Sequence, residues 1–223
     1  MVSRGRLKDR RGKRNKRQAS PVVLFVCEGK ETEQNYLKGF QRAHRIQSER
    51  FLIHGPEKSN HTDPAGIVSH ARTQNARAAT RARGYALDAI FCVFDRDRHD
   101  SFDEASRNAK KHGLELARSV PCFELWLLLH FKDQHAHIEG GQVQSELKAP
   151  ECLPSYAKNM TGLFEFLKEH EAIATTRAEG LREEHLRASR SVSSNPSTEI
   201  DQLLARLREL FDVSEKDPED SLA

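Results

Sequence analysis

Three acidic residues stand where two apolar runs of the sequence end. Glu28 follows the run at residues 21–26, and Asp95 and Asp97 follow the run at residues 89–94. Alternate side chains of an extended segment face the same side, so Asp95 and Asp97 project together. Two adjacent carboxylates repel each other, and a divalent cation is the usual relief. Hard oxygen ligands in an open, hydrated site suit Mg²⁺ or Mn²⁺, which also contact phosphates.

These residues predict a metal site for phosphate chemistry. Asp95 and Asp97 would be metal ligands, and Glu28 would add a ligand or act as a general acid or base. Arg96 and Arg98 project to the other side and are expected to meet phosphate oxygens. The alternative is a solvated loop in which acids and bases neutralise one another. The acid at the end of a second strand favours the site.

Glu124 and Lys30 are further candidates. Glu124 is the only acid in 119-SVPCFELWLLLHF-131. A lone buried carboxylate needs a partner or the positive end of a helix, and Glu124 lies in the first turn of a predicted helix. It either stabilises the structure or reaches the same site, and we favour the site. Lys30 either contacts phosphate or is an exposed lysine where a helix starts.

The elements that must position these residues alternate between strand and helix. Strands are predicted at residues 21–26, 51–53, 89–94 and 114–117. Helices are predicted at residues 32–46, 64–82 and 101–112, from 121 onward, and near 155–170, 173–189 and 198–211. This pattern predicts an α/β fold with a parallel sheet of about four strands flanked by helices and a helical C-terminal extension. Because strand ends meet at one edge of such a sheet, Glu28 should lie beside the aspartates.

Charge is distributed unevenly along the chain. Nine of the 36 Lys and Arg residues and one of the 33 acids lie within residues 1–18, giving this segment a net charge of +8 and the remainder −5. Such a basic arm, with Arg10, Arg11 and Arg14, suits a polyanion such as nucleic acid. A disordered, solubilising tail is the alternative.

Composition predicts a cytoplasmic protein without a membrane span. No apolar run approaches the ~20 residues that a spanning helix needs. The four cysteines are far apart and form no C-x-x-C pair, which indicates reduced thiols. The apolar run before Cys27 is also shorter than the ~7–15 residues of a secretory signal, and Glu28 follows Cys27 at once.

The longest motifs resemble a known family. The blocks 22-VVLFVCEGKETEQNYLKGF-40, 91-FCVFDRDRHD-100, 119-SVPCFELWLLLHF-131 and 195-NPST-198 resemble the RloB-like family. That family is regarded as carrying a Toprim-type domain, the metal-dependent α/β fold of topoisomerases, primases and certain nucleases. The resemblance implies a Toprim-like sheet in which the first-strand glutamate is Glu28 and the third-strand D-x-D is Asp95 and Asp97. Glu124 lies in the family's Pro-Cys-Phe-Glu-Leu-Trp block and is implied as a further catalytic residue.

The implied activity is Mg²⁺- or Mn²⁺-dependent phosphodiester hydrolysis of DNA or RNA, in prokaryotic defence loci near restriction–modification genes. The P-loop pattern G-x-x-x-x-G-K-[ST] is absent, so any ATP hydrolysis would need a separately encoded ATPase. The chain has no room for the separate tyrosine domain of a topoisomerase, which argues against strand passage. Two alternatives stay open: a haloacid-dehalogenase-like phosphatase and a non-enzymatic nucleic-acid-binding or regulatory subunit.

The predicted organisation has four parts. They are a disordered basic arm (1–19), a Toprim-like metal-binding catalytic domain (20–135), a helical C-terminal region (136–212) and an acidic, frayed tail (213–223). The polar helical region could serve as a docking or dimer surface, and the sequence does not indicate the oligomeric state.

Overall fold

The computed structural model describes residues 20–80, 86–96 and 100–213. Several predictions fall on the other residues. The basic arm with Arg10, Arg11 and Arg14, the pair Asp97 and Arg98, and all but the first residue of the acidic tail lie outside the described residues.

The described strands form one five-stranded sheet in the order β2-β1-β3-β4-β5. They are β1 (Val23–Cys27), β2 (Phe51–His54), β3 (Ala89–Asp95), β4 (Glu115–Val120) and β5 (Ser197–Thr198). The first four are mutually parallel, and β5 pairs antiparallel with β4. The predicted parallel α/β sheet is confirmed, and its arrangement is consistent with a Toprim-like fold. The fifth strand is new: two residues are too few to show a strand pattern.

Helices cover both faces of the sheet. They are α1 (Thr32–Ala43), α2 (Pro56–Ser59), α3 (Pro64–Thr80), α4 (Phe102–Lys111), α5 (Glu124–Leu129), α6 (Gly140–Leu147), α7 (Leu163–Leu167), α8 (Glu171–Arg187) and α9 (Ile200–Phe211), with 3₁₀ turns at Ser48–Arg50 and Lys168–His170. No helix within the described ranges is long and apolar enough to cross a membrane.

Alternation along β1 divides the core into two layers. Phe25 and Cys27 pack in a layer that includes residues of α1 and of α5 to α9, whereas Leu24 and Val26 pack with α3 and α4. All of these side chains are buried, because a strand covered by helices on both faces must be apolar throughout. The predicted helical C-terminal region therefore shares one core with the sheet.

Buried ion pairs fasten that region to the sheet. Arg118 of β4 is 6% exposed and forms an ion pair with Glu199, which immediately precedes α9. Arg182 of α8 donates from Nη1 to Asp201 Oδ1 of α9 at 2.8 Å and also to the Thr198 carbonyl oxygen of β5. The Arg118–Glu199 pair also explains why β4 runs three residues beyond its predicted end: the buried Arg118 interrupts the apolar pattern but is neutralised by its partner.

The first half of the helix predicted near 155–170 is wrong, whereas residues 163–170 are helical, as α7 and the 3₁₀ turn that follows it. Residues 155–162 form a loop, and α7 begins only at Leu163. Gly162 precedes it with φ of 77°, a left-handed conformation that glycine adopts without a Cβ clash and that stops a helix from extending backwards. The loop carries two residues that reach the site described next.

Candidate active site

Glu28 and Asp95 lie side by side where β1 and β3 end. Cys27 is in register with Val93, and the Glu28 N–H donates to the Val93 carbonyl oxygen at 3.0 Å. The Asp95 N–H then donates to Glu28 Oε2 at 3.0 Å. The two residues are thus neighbours in space, as the sheet topology predicted.

Asp95 and Arg96 point to opposite faces of the sheet. Asp95 Oδ2 accepts a hydrogen bond from the Phe123 N–H at 3.1 Å, on the face covered by α5. Arg96 donates from Nη1 to the Ser193 carbonyl oxygen at 3.1 Å and lies 5.2 Å from the centre of the Phe102 ring. These contacts are away from Asp95, so a phosphate contact of Arg96 stays a prediction.

Glu124 begins α5 and is only 3% exposed. Its Oε1 accepts a hydrogen bond from the Tyr156 hydroxyl at 2.8 Å, and Lys158 Nζ lies 3.7 Å from the same oxygen. Both partners belong to the loop before α7. A buried carboxylate therefore has the polar partners that it requires.

Glu33 is a fourth carboxylate at this edge of the sheet, and the sequence pattern did not indicate it. It lies in the first turn of α1 and is 7% exposed. A Cβ atom at Gly29 would lie 1.8 Å from Glu33 Oε2, so the missing side chain of Gly29 lets the carboxylate rest against the backbone. In the sequence, Glu33 looks no different from Glu31, an exposed acid two residues earlier.

Lys30 is exposed at the same edge of the sheet. The loop that carries it is held by Gln34, whose amide donates from Nε2 to the Gly29 carbonyl oxygen at 3.2 Å and to the Lys30 carbonyl oxygen at 2.9 Å. The loop that connects Glu28 to α1 is therefore anchored by a side chain one helical turn further along.

The four carboxylates line one cavity of about 670 Å³. Its described lining residues are Glu28, Gly29, Lys30, Glu31, Thr32, Glu33, Thr62, Asp95, Pro121, Cys122, Phe123, Glu124, Gly140, Gly141, Gln144 and Lys158. Five of these are acids and two are lysines, so the cavity carries an excess of negative charge.

Burial and mutual repulsion perturb this cluster. Burial raises the pKa of Asp95 well above its ordinary value, and the carboxylates of Glu33, Glu28 and Glu124 raise it further. Burial likewise raises the pKa of Glu33 to about 7, with additional contributions from Glu124 and Glu28. The cluster is therefore stabilised by protons or by a cation.

Carboxylate oxygens are the ligands that Mg²⁺ and Mn²⁺ prefer, so the donor chemistry of the cluster fits these ions. Within residues 20–80, 86–96 and 100–213, however, no three Asp, Glu, His or Cys side chains are arranged to hold a metal ion. The second aspartate of the D-x-D motif, Asp97, lies outside these ranges. A metal site would thus need Asp97 or a shift of the described side chains.

Comparison with known proteins identifies the family. The chain matches no curated protein and no solved structure. The model of the RloB-like protein family matches residues 23–207, which include Glu28, Asp95, Glu124 and most of the helical C-terminal region. Because the match covers most of the sequence, the chain belongs to the RloB-like protein family.

Proposed function

We propose that the chain is a metal-dependent nuclease of Toprim type that hydrolyses phosphodiester bonds in nucleic acid. The observation that carries the proposal is the convergence of Glu28, Glu33, Asp95 and Glu124 on one cavity at the carboxyl edge of a parallel sheet. Clustered carboxylates with a raised pKa are typical of sites that bind a cation or transfer protons.

The side chains divide into three roles. Glu28 and Asp95, together with Asp97, would hold Mg²⁺ or Mn²⁺, which when bound polarises a phosphate oxygen and lowers the pKa of a water molecule. Glu124, which accepts a hydrogen bond from the Tyr156 hydroxyl, would exchange a proton with a reacting oxygen. Lys30 and the basic arm would attract the phosphate backbone.

The family resemblance supports a defence role near restriction–modification genes, with a separately encoded ATPase as a candidate partner. The phosphatase alternative receives less support from the topology. In haloacid-dehalogenase-like enzymes the D-x-D motif usually follows the first strand of the fold, whereas here Asp95 ends β3 and a glutamate follows β1.

Cleavage assays test the proposal directly. Purified protein is incubated with supercoiled plasmid, single-stranded DNA and total tRNA, with Mn²⁺, Mg²⁺ or chelator. We expect metal-dependent cleavage of at least one substrate by the wild type and a loss of roughly 100-fold or more in Asp95→Asn. The asparagine retains an oxygen that can accept the Phe123 N–H, so the substitution removes charge and leaves the fold in place.

The matched control is Glu104→Gln, which removes one exposed carboxylate from α4, on the other face of the sheet. It should cleave like the wild type. If neither DNA nor RNA is cut with any metal, by the protein alone or with a candidate partner ATPase, the nuclease proposal is wrong. Release of phosphate from small phosphomonoesters without strand cleavage would favour the phosphatase alternative instead.

A further inference from the structure

The loop at residues 153–160 reaches the active-site cavity from the C-terminal region. The Tyr156 hydroxyl donates to Glu124 at 2.8 Å, and the Thr32 hydroxyl donates to the Lys158 carbonyl oxygen at 3.1 Å. The Asn35 amide also donates to the Asn159 carbonyl oxygen at 3.4 Å. The loop is thus attached to α1 and α5, the two helices that begin beside the carboxylates.

Lys158 extends from this attached backbone into the mouth of the cavity. Its side chain is 62% exposed, whereas that of Glu124, 3.7 Å away, is 4% exposed. An ion pair with so exposed a lysine adds little to stability, because water screens the attraction. The stabilising contacts of the loop are instead made by its backbone and by Tyr156, which is 4% exposed.

This arrangement suits a lysine that binds substrate. The cavity floor is acidic and would repel a phosphate chain, so a strand entering it needs a cation at the entrance. An ammonium group on a four-carbon stem can move from Glu124 to a phosphate oxygen without any backbone change. Because Thr32 fixes the Lys158 carbonyl group, the base of that stem is already in place.

We propose that Lys158 binds a phosphate of a single-stranded nucleic-acid substrate at the entrance of the cavity, next to the reacting phosphodiester. A single strand is the substrate form that fits, because the carboxylates are recessed in a cavity of about 670 Å³, which is the size of a small-molecule pocket. The inference rests on the proposed nuclease function. It assigns a substrate contact to the C-terminal region, outside the segment that carries the acidic motifs.

Fluorescence anisotropy tests the contact without requiring cleavage. A short fluorescein-labelled oligo-dT or oligo-U is titrated with full-length protein carrying Asp95→Asn, in chelator and at several salt concentrations. Adding Lys158→Gln should weaken binding about three- to tenfold and reduce the slope of log affinity against log salt by about 0.7, the value for one phosphate contact on a single strand. Lys158→Arg should restore most of the affinity.

Lys111→Gln is the matched control, since it removes an exposed lysine from the end of α4 on the opposite face. The basic arm is the same in all variants, so its contribution cancels from the comparison. In the otherwise wild-type enzyme, Lys158→Gln should raise KM with little change in kcat. Equal affinities and salt slopes for Lys158→Gln and Lys111→Gln would overturn the inference, and so would a duplex of equal length binding more tightly than the single strand.

The two proposals can fail separately. If the wild type cleaves nothing, the nuclease function is wrong, and the anisotropy series still decides whether Lys158 binds phosphate. If Asp95→Asn abolishes cleavage while Lys158→Gln changes neither KM nor affinity, the nuclease function stands and the Lys158 contact is wrong.

Discussion

The backbone N–H of Asp95 donates a hydrogen bond to the side chain of Glu28 across the ends of β3 and β1. This contact places the carboxylate of Glu28 beside the first residue of the D-x-D motif. The position of the Glu28 side chain therefore depends on the register between β1 and β3. The neighbouring Glu28 N–H is bonded to the Val93 carbonyl oxygen, so the same register also holds the Glu28 backbone.

Glu28→Gln should separate this structural role from the chemical one. Glutamine keeps a side-chain oxygen that can accept the Asp95 N–H, but it removes a negative charge from a cluster that is already repulsive. We expect unchanged or slightly raised thermal stability, with a loss of roughly 100-fold or more in metal-dependent cleavage. Circular dichroism melting and the cleavage assay measure the two effects. Strong unfolding of the variant, or full activity, would contradict the assigned role.

The stability of the metal-free protein should depend on pH through Glu33. Its pKa is raised from an ordinary 4.5 to about 7, so the folded state binds the proton more tightly than the unfolded state does. The resulting stabilisation is complete below pH 4.5 and is lost as pH rises through about 7. Glu33→Gln should therefore raise the free energy of unfolding by about 1–3 kcal/mol at pH 8 and have little effect at pH 4.

Urea denaturation of the wild type and Glu33→Gln at both pH values measures this difference, with Glu31→Gln as the exposed control. Mg²⁺ or Mn²⁺ should reduce the pH dependence in the wild type, because a bound cation favours the ionised carboxylates. If the difference in unfolding free energy between the wild type and Glu33→Gln stays constant from pH 4 to pH 8, burial and the neighbouring carboxylates do not raise the pKa of Glu33.

Tyr156→Phe and Tyr36→Phe form a matched pair. Each removes one hydroxyl from a buried tyrosine: that of Tyr156 donates to Glu124, and that of Tyr36 accepts from Trp126 Nε1 at 2.9 Å. Both variants should lose about 1–2 kcal/mol of stability, since each leaves a buried polar partner unsatisfied. Only Tyr156→Phe should lower kcat, by about tenfold, and alter its pH profile, because Tyr156 contacts Glu124 and Tyr36 does not. Equal kcat values in the two variants would remove Tyr156 from the site.

Gly29→Ala and Gly180→Ala should change the stability of the protein in opposite directions. A Cβ atom at Gly29 collides with the Glu33 carboxylate, whereas a Cβ atom at Gly180, inside α8, meets no atom within 4 Å. Gly180→Ala should stabilise the protein by about 0.5–1 kcal/mol, through the higher helix propensity of alanine. Gly29→Ala should displace the Glu33 carboxylate and lower the cleavage rate about tenfold or more. It should cost little stability, because the Glu33 side chain can move away from the new methyl group. Wild-type kcat in Gly29→Ala would contradict the importance of the Glu33 position.

The sequence predicted most of the sheet and named three of the four clustered carboxylates that line the cavity, the exception being Glu33. The continuous apolar runs at β1 and β3 are typical of strands that are buried between two layers of helices. Residues at the carboxyl ends of neighbouring parallel strands lie close together. The sequence alone therefore predicts that Glu28 and Asp95 lie side by side. The first half of the helix predicted near 155–170 was wrong, because the left-handed Gly162 confines α7 to the residues after it.

The sequence by itself determined the strand order along the chain, the acids at two strand ends and the uneven charge. Only the tertiary structure decided that Glu33 joins them, because its position depends on the close approach of its carboxylate to Gly29. It also decided that Lys158 lines the cavity and that Tyr156 donates a hydrogen bond to Glu124, although both residues lie more than 120 positions after Glu28. Local periodicity carries no information about such contacts, since they arise from packing between segments that are distant in the chain.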